Sequence, residues 1–117
     1  MKSIVEISEM NPEDMEKEMK EILYSIKDHS ENDIIDTLKG FLIEMRKVND
    51  ENYLKLCITN MSIISKFNDD DLKNFIMLRL KANSEVPDFI QKRDLDIIKK
   101  ALEKAPEDVR NRISKFM

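Results

Sequence analysis

The chain has 117 residues, 41% of them hydrophobic and 38% charged, with a net charge of -4, one cysteine, one glycine and three prolines. That size gives one domain with one core. A single cysteine excludes an intramolecular disulfide, and no uncharged apolar run approaches the roughly 18 residues of a membrane span. Scarce glycine and proline deprive the chain of the turn residues that sheets need, so an all-α fold is expected. The first ten residues lack the basic-then-apolar layout of a signal peptide, and a cytoplasmic location is the expectation.

Residues 1–10 read as an arm or a short strand, with Ile4, Val5 and Ile7 docking it on the body. Helix start signals then recur as Asn11-Pro12-Glu13-Asp14, Ser30-Glu31-Asn32-Asp33, Asn49-Asp50-Glu51-Asn52, Asn68-Asp69-Asp70-Asp71, Pro87-Asp88 and Pro106-Glu107-Asp108. Each places a capping or first-turn residue before acidic side chains that suit the positive end of a helix dipole. Their first members stand at 11, 30, 49, 68, 87 and 106, a constant step of 19 residues. Six short antiparallel helices are therefore predicted, starting within about three residues of Pro12, Glu31, Asp50, Asp69, Pro87 and Glu107.

In the first helix Met15, Met19, Ile22, Leu23 and Ile26 form an apolar stripe opposite a charged face. The second carries Ile34, Ile35, Leu38, Phe41, Leu42 and Met45, and its interior Gly40 suggests a close helix crossing. The third, from Tyr53 to Phe67, is apolar on most of its circumference, which predicts a central helix with Leu56, Cys57, Met61 and Ile64 buried. The fourth (Leu72, Phe75, Ile76, Leu80) is expected to end before Pro87. The fifth fits the period least well: Phe89 and Ile90 read as a separate short turn, with a helix proper from Asp94 to Lys104. The last runs from Glu107 to Phe116 with a fraying end.

Two 19-residue units make a 38-residue helical hairpin, so the chain holds three hairpins, arranged as a compact bundle or as a HEAT-like stack. The compact bundle is the preferred expectation. The stretch from Ile97 to Pro106 is similar to the second helix of a tetratricopeptide repeat, without the rest of that unit.

Candidates for chemistry are few. His29, the only histidine, sits in a turn. Cys57 lies in the most apolar helix, where a thiol behaves as a small hydrophobe. Asp69-Asp70-Asp71 lacks the alternating ligands, glycine and closing glutamate of a calcium loop, and reads as helix capping. The only glycine lies inside a helix, so no phosphate-cradling loop exists. No catalytic, metal or cofactor site is predicted, and a non-enzymatic role is expected.

Charge is uneven: residues 1–72 hold 9 basic and 17 acidic side chains, whereas residues 73–117 hold 11 basic and 7 acidic. A surface of Lys92, Arg93, Lys99, Lys100, Arg110 and Arg112, with Lys104 and Lys115 nearby, is the expected binding face. The expected function is a helical protein–protein interaction module, or a small subunit of a larger assembly, that meets an acidic protein surface. A second copy of the chain is a further candidate partner. Nucleic acid ranks behind protein, because the chain is acidic overall and few aromatics stand near the basic residues.

Overall fold

The computed structural model describes residues 2–117. Among them are seven α-helices: α1 (Ile4–Ser8), α2 (Pro12–Ile26), α3 (Glu31–Glu44), α4 (Asp50–Ile64), α5 (Asp69–Ser84), α6 (Asp88–Lys104) and α7 (Glu107–Ser114), with a 3-10 turn at Met45–Lys47. The six starts from α2 onward keep the 19-residue step, because the residue before each helix is Asn11, Ser30, Asn49, Asn68, Pro87 or Pro106. Four of these caps are chemically alike. Asn11, Ser30, Asn49 and Asn68 each accept, on a side-chain oxygen, the backbone N–H three residues on. That bond satisfies a donor the first helical turn would otherwise leave unpaired.

Three expectations are corrected. The N-terminal segment is neither an arm nor a strand but the helix α1, closed by a capping box in which Ser3 and Glu6 bond each other's backbone N–H. Its Ile4 and Ile7, one turn apart, are buried. The fifth helix runs unbroken from Asp88 to Lys104. Its inward stripe is Ile90, Asp94, Ile97, Ile98 and Ala101, so the apolar period is interrupted by one buried, fully paired aspartate rather than by a chain break. Gly40 marks no close crossing: it is exposed, and nothing outside its own helix lies within 4 Å of where a Cβ would stand.

Helices two apart in sequence pack side by side: α4 lies between α2 and α6, and α3 packs along α5. Met15 of α2 meets Thr59 of α4, while Tyr24, further along α2, packs edge-on against Phe67 just beyond α4, so the two helices run the same way. By contrast, α5 and α6 form an antiparallel hairpin in which Arg79 and Asn83 reach Asp94 and Asn83 also reaches Gln91. The 38-residue repeat thus appears as contacts. Side-chain hydrogen bonds between elements that are not sequence neighbours span 41 to 48 residues.

The stack closes on itself. Its extents are 32 × 29 × 28 Å and its radius of gyration is 13.0 Å, about the value expected for a compact domain of this length. A continuous core joins all seven helices, and α4 is its centre, with Tyr53, Leu56, Met61, Ile63 and Ile64 buried and Cys57 packed against them. None of the described helices is long and apolar enough to cross a membrane.

Candidate functional site

The predicted basic residues divide into two groups. Arg93 and Arg112 turn inward at their tips and hold the chain together. Arg93 donates to the carbonyls of Met45 and Val48 and to Asp50, and its guanidinium stacks 4.9 Å from the Tyr53 ring centroid. Arg112 donates to the carbonyls of Ser65 and Phe67 and to Asp69, and this pairing holds the Asp69 carboxyl below its usual range. Arg93 at Val48 and Arg112 at Ser65 and Phe67 therefore satisfy carbonyls that the chain beyond α3 and α4 leaves without a backbone donor, while the Met45 carbonyl also accepts the Val48 N–H. Part of the charge asymmetry seen in the sequence fastens the basic C-terminal helices to acidic turns of the same chain.

Lys92, Lys99 and Lys100 are exposed on α6, and Arg110 is half-buried on α7. Lys100 pairs with Asp96 one turn earlier at 3.1 Å, and Lys115 stands 4.0 Å from Asp69. Lys92 and Lys99 share the outer face of α6 with two large apolar side chains, Phe89 and Leu95, which are 66% and 47% exposed. The spacing 89, 92, 95/96, 99 follows a helical period, so these residues form one stripe. Sequence reasoning singled out the lysines but not Phe89 and Leu95. An aromatic that falls off the inward stripe of Ile90, Ile97 and Ile98 is the signal that would have found them.

Behind that face lies a buried polar cluster. Asp94 is fully buried and its carboxylate receives four hydrogen bonds: Tyr53 Oη and Arg79 Nη2 to Oδ1, Arg79 Nη1 and Asn83 Nδ2 to Oδ2. Burial alone would raise the Asp94 carboxyl, but the bidentate Arg79 and the other donors outweigh it and hold the group below its ordinary value. Burial, together with the Asp94 charge, pushes the Tyr53 hydroxyl well above its ordinary value. Every acceptor site of the carboxylate is filled, so Asp94 ties α4, α5 and α6 together and has no free oxygen for proton transfer.

Next to this cluster, in the middle of the bundle, is a cavity of about 110 Å³ whose walls include residues of all seven helices. Its walls are mostly apolar, with Phe41, Leu80 and Phe75 among them, and four polar side chains also line it: Tyr53, Cys57, Asn60 and Arg79. The Cys57 thiol is pushed up to about 12, mainly by burial and against the opposing pull of Arg79, so it is protonated and unreactive at neutral pH. Asn60 Oδ1 is withdrawn from solvent and finds no hydrogen-bond donor among the described residues.

The remaining candidates lie elsewhere. His29 is exposed in the turn after α2. In the acidic run, Asp69 pairs with Arg112, while Asp71 pairs with Lys27 and its N–H caps to Asn68. No group of three histidine, cysteine, aspartate or glutamate side chains converges to hold a metal ion among the described residues. No family model, curated relative or solved structure matches the chain.

Proposed function

We propose that the chain is a non-catalytic helical interaction module that docks a protein partner on the outer stripe of α6. The observation carrying this reading is the exposure of Phe89 and Leu95 on the same outer face as Lys92 and Lys99, on a helix whose opposite side is anchored in the core. Aromatic and aliphatic anchors beside positive charge suit an amphipathic acidic partner: the apolar residues supply affinity and the lysines steer encounter. Anchoring from behind makes the stripe a rigid surface, which limits the ordering cost of association.

The test compares capture from cytosol by the immobilised parent chain and by a triple variant, Lys92→Glu, Lys99→Glu and Arg110→Glu, with mass spectrometry as the readout. A protein held by the parent and lost at least tenfold by the variant is the expected result, equal to about 1.4 kcal/mol. The double variant Phe89→Ala, Leu95→Ala should release the same partner without lowering the melting temperature, since both side chains already face solvent. Undiminished capture by both variants overturns the reading. A captured nucleic acid whose affinity falls steeply with log salt would replace the protein partner.

A further inference from the structure

The cavity beside the Asp94 cluster has an unmatched hydrogen-bonding feature. Its walls are apolar apart from four groups, and three of those are accounted for. Tyr53 donates to Asp94, Arg79 is locked to Asp94 by both terminal nitrogens, and Cys57 carries a neutral thiol. The fourth, Asn60, brings a carbonyl oxygen that no described residue satisfies. A buried acceptor left without a donor is unfavourable, so an occupant that supplies one is favoured over a purely apolar one. The terminal torsion of an asparagine is soft, which lets the amide turn its oxygen toward such an occupant.

Size and charge narrow the class. At about 110 Å³ the space is close to the roughly 150 Å³ that admits benzene in a dry protein cavity. Arg79 and Asp94 neutralise each other, so the wall offers no net charge to hold an ion. Phe41, Phe75 and the thioether of Met61 line the space, and sulfur and ring edges favour an aromatic guest. Phe41, Arg79 and Leu80 are only half-buried and Met117 is 52% exposed, so the space opens to solvent past these side chains. We propose that this cavity binds a small uncharged aromatic molecule carrying one hydrogen-bond donor, which bonds to Asn60 Oδ1. This site lies inside the bundle and is independent of the docking face on α6.

The test is an NMR titration of the full chain with phenol and, separately, with toluene, which has nearly the same shape but no donor. Phenol is expected to shift the Asn60 side-chain amide and the backbone amides of Cys57 and Leu80 saturably, with at least tenfold higher affinity than toluene. Asn60→Leu should erase that preference while keeping toluene binding. Should Asn60→Leu fail to fold, the parent chain still decides through the phenol-to-toluene ratio and the location of the shifts. Equal affinity for the two probes, saturable shifts that map to Phe89 instead of Asn60, or no saturable shift with phenol overturns the proposal.

Discussion

Arg93 and Arg112 stand one 19-residue step apart and do the same work on successive turns of the stack. The Arg93 Nη2 donates to the carbonyl of Val48 and the Arg112 Nη2 to that of Phe67, again 19 positions on, and their acidic partners Asp50 and Asp69 keep the same interval. The next turn is held by a different side chain: Gln91 Nε2 donates to the carbonyls of Ser84 and Val86, the positions 19 after Ser65 and Phe67. The repeat therefore extends beyond caps and apolar stripes to the donors that close the ends of α3, α4 and α5.

Because the Val48 carbonyl depends on Arg93 and the Ser65 and Phe67 carbonyls on Arg112 for a donor, removing either head group leaves acceptors without partners. Arg93→Met or Arg112→Met, which keep most of the aliphatic stem, should each lower stability by about 1 to 3 kcal/mol. Lysine at either position should recover less than half of that, since one ammonium cannot span the three acceptors in the fork geometry of guanidinium. Urea denaturation midpoints check this, and a lysine variant as stable as the parent would show that charge alone suffices.

Asp94 sets the acid limit of the bundle. Its carboxyl titrates near 3.8 when unperturbed and lower than that in the folded chain, so the folded state favours the charged form. The stability it contributes is present above about pH 4 and is lost as pH falls through the lower folded value. Asp94→Asn should cost on the order of 3 kcal/mol at neutral pH, by leaving Arg79 without its counter-charge, and should flatten the acid dependence of stability. Denaturant midpoints measured from pH 7 to pH 2 give both numbers; a variant with the same acid slope as the parent would assign that slope to other carboxylates.

Much of the fold was legible in the sequence, because capping is a local property. Asn11, Ser30, Asn49 and Asn68 need only the three residues that follow to make their bond, and they announce four helices at the right places. What stayed hidden depended on partners 11 to 48 residues away, on other helices. Asp94 looked like the start of a helix because aspartate favours such positions, and only Arg79, Tyr53 and Asn83 together explain it inside one. Arg93 and Arg112 read as surface charge because their acceptors are mostly backbone carbonyls, which no side-chain pattern marks. The interval between them, equal to the step already seen in the caps, was the available clue. The cavity at Asn60 left no trace in the pattern, since it arises where all seven helices leave their common centre unfilled.

Alkali acts on the bundle through groups that the fold keeps neutral. Burial moves the Cys57 thiol from an ordinary 9.0 to about 12, so the unfolded chain loses this proton first. The resulting stability is complete below pH 9 and disappears as pH rises toward 12, by on the order of 3 kcal/mol. Tyr53, also raised, acts in the same direction from about pH 10 upward. Cys57→Val removes the thiol at similar volume and should flatten the stability profile between pH 9 and 11. An unchanged profile would place the alkaline sensitivity on Tyr53, to be checked with Tyr53→Phe.

Gly40 offers the opposite kind of substitution, one that should strengthen the fold. It lies in the interior of α3, exposed, with no positive φ, and a Cβ there would meet nothing beyond its own helix within 4 Å. Glycine in a helix interior is less favourable than alanine by about 0.5 to 1 kcal/mol, because the unfolded chain has more backbone freedom to lose. Gly40→Ala should therefore gain most of that amount, raising the melting temperature by a few degrees for a domain of this size. The gain should add to the losses from Arg112→Met, since the two sites share no partners. A destabilised Gly40→Ala protein would mean that something packs against α3 at this point in solution, most simply a second copy of the chain, and sedimentation of parent and variant would reveal it.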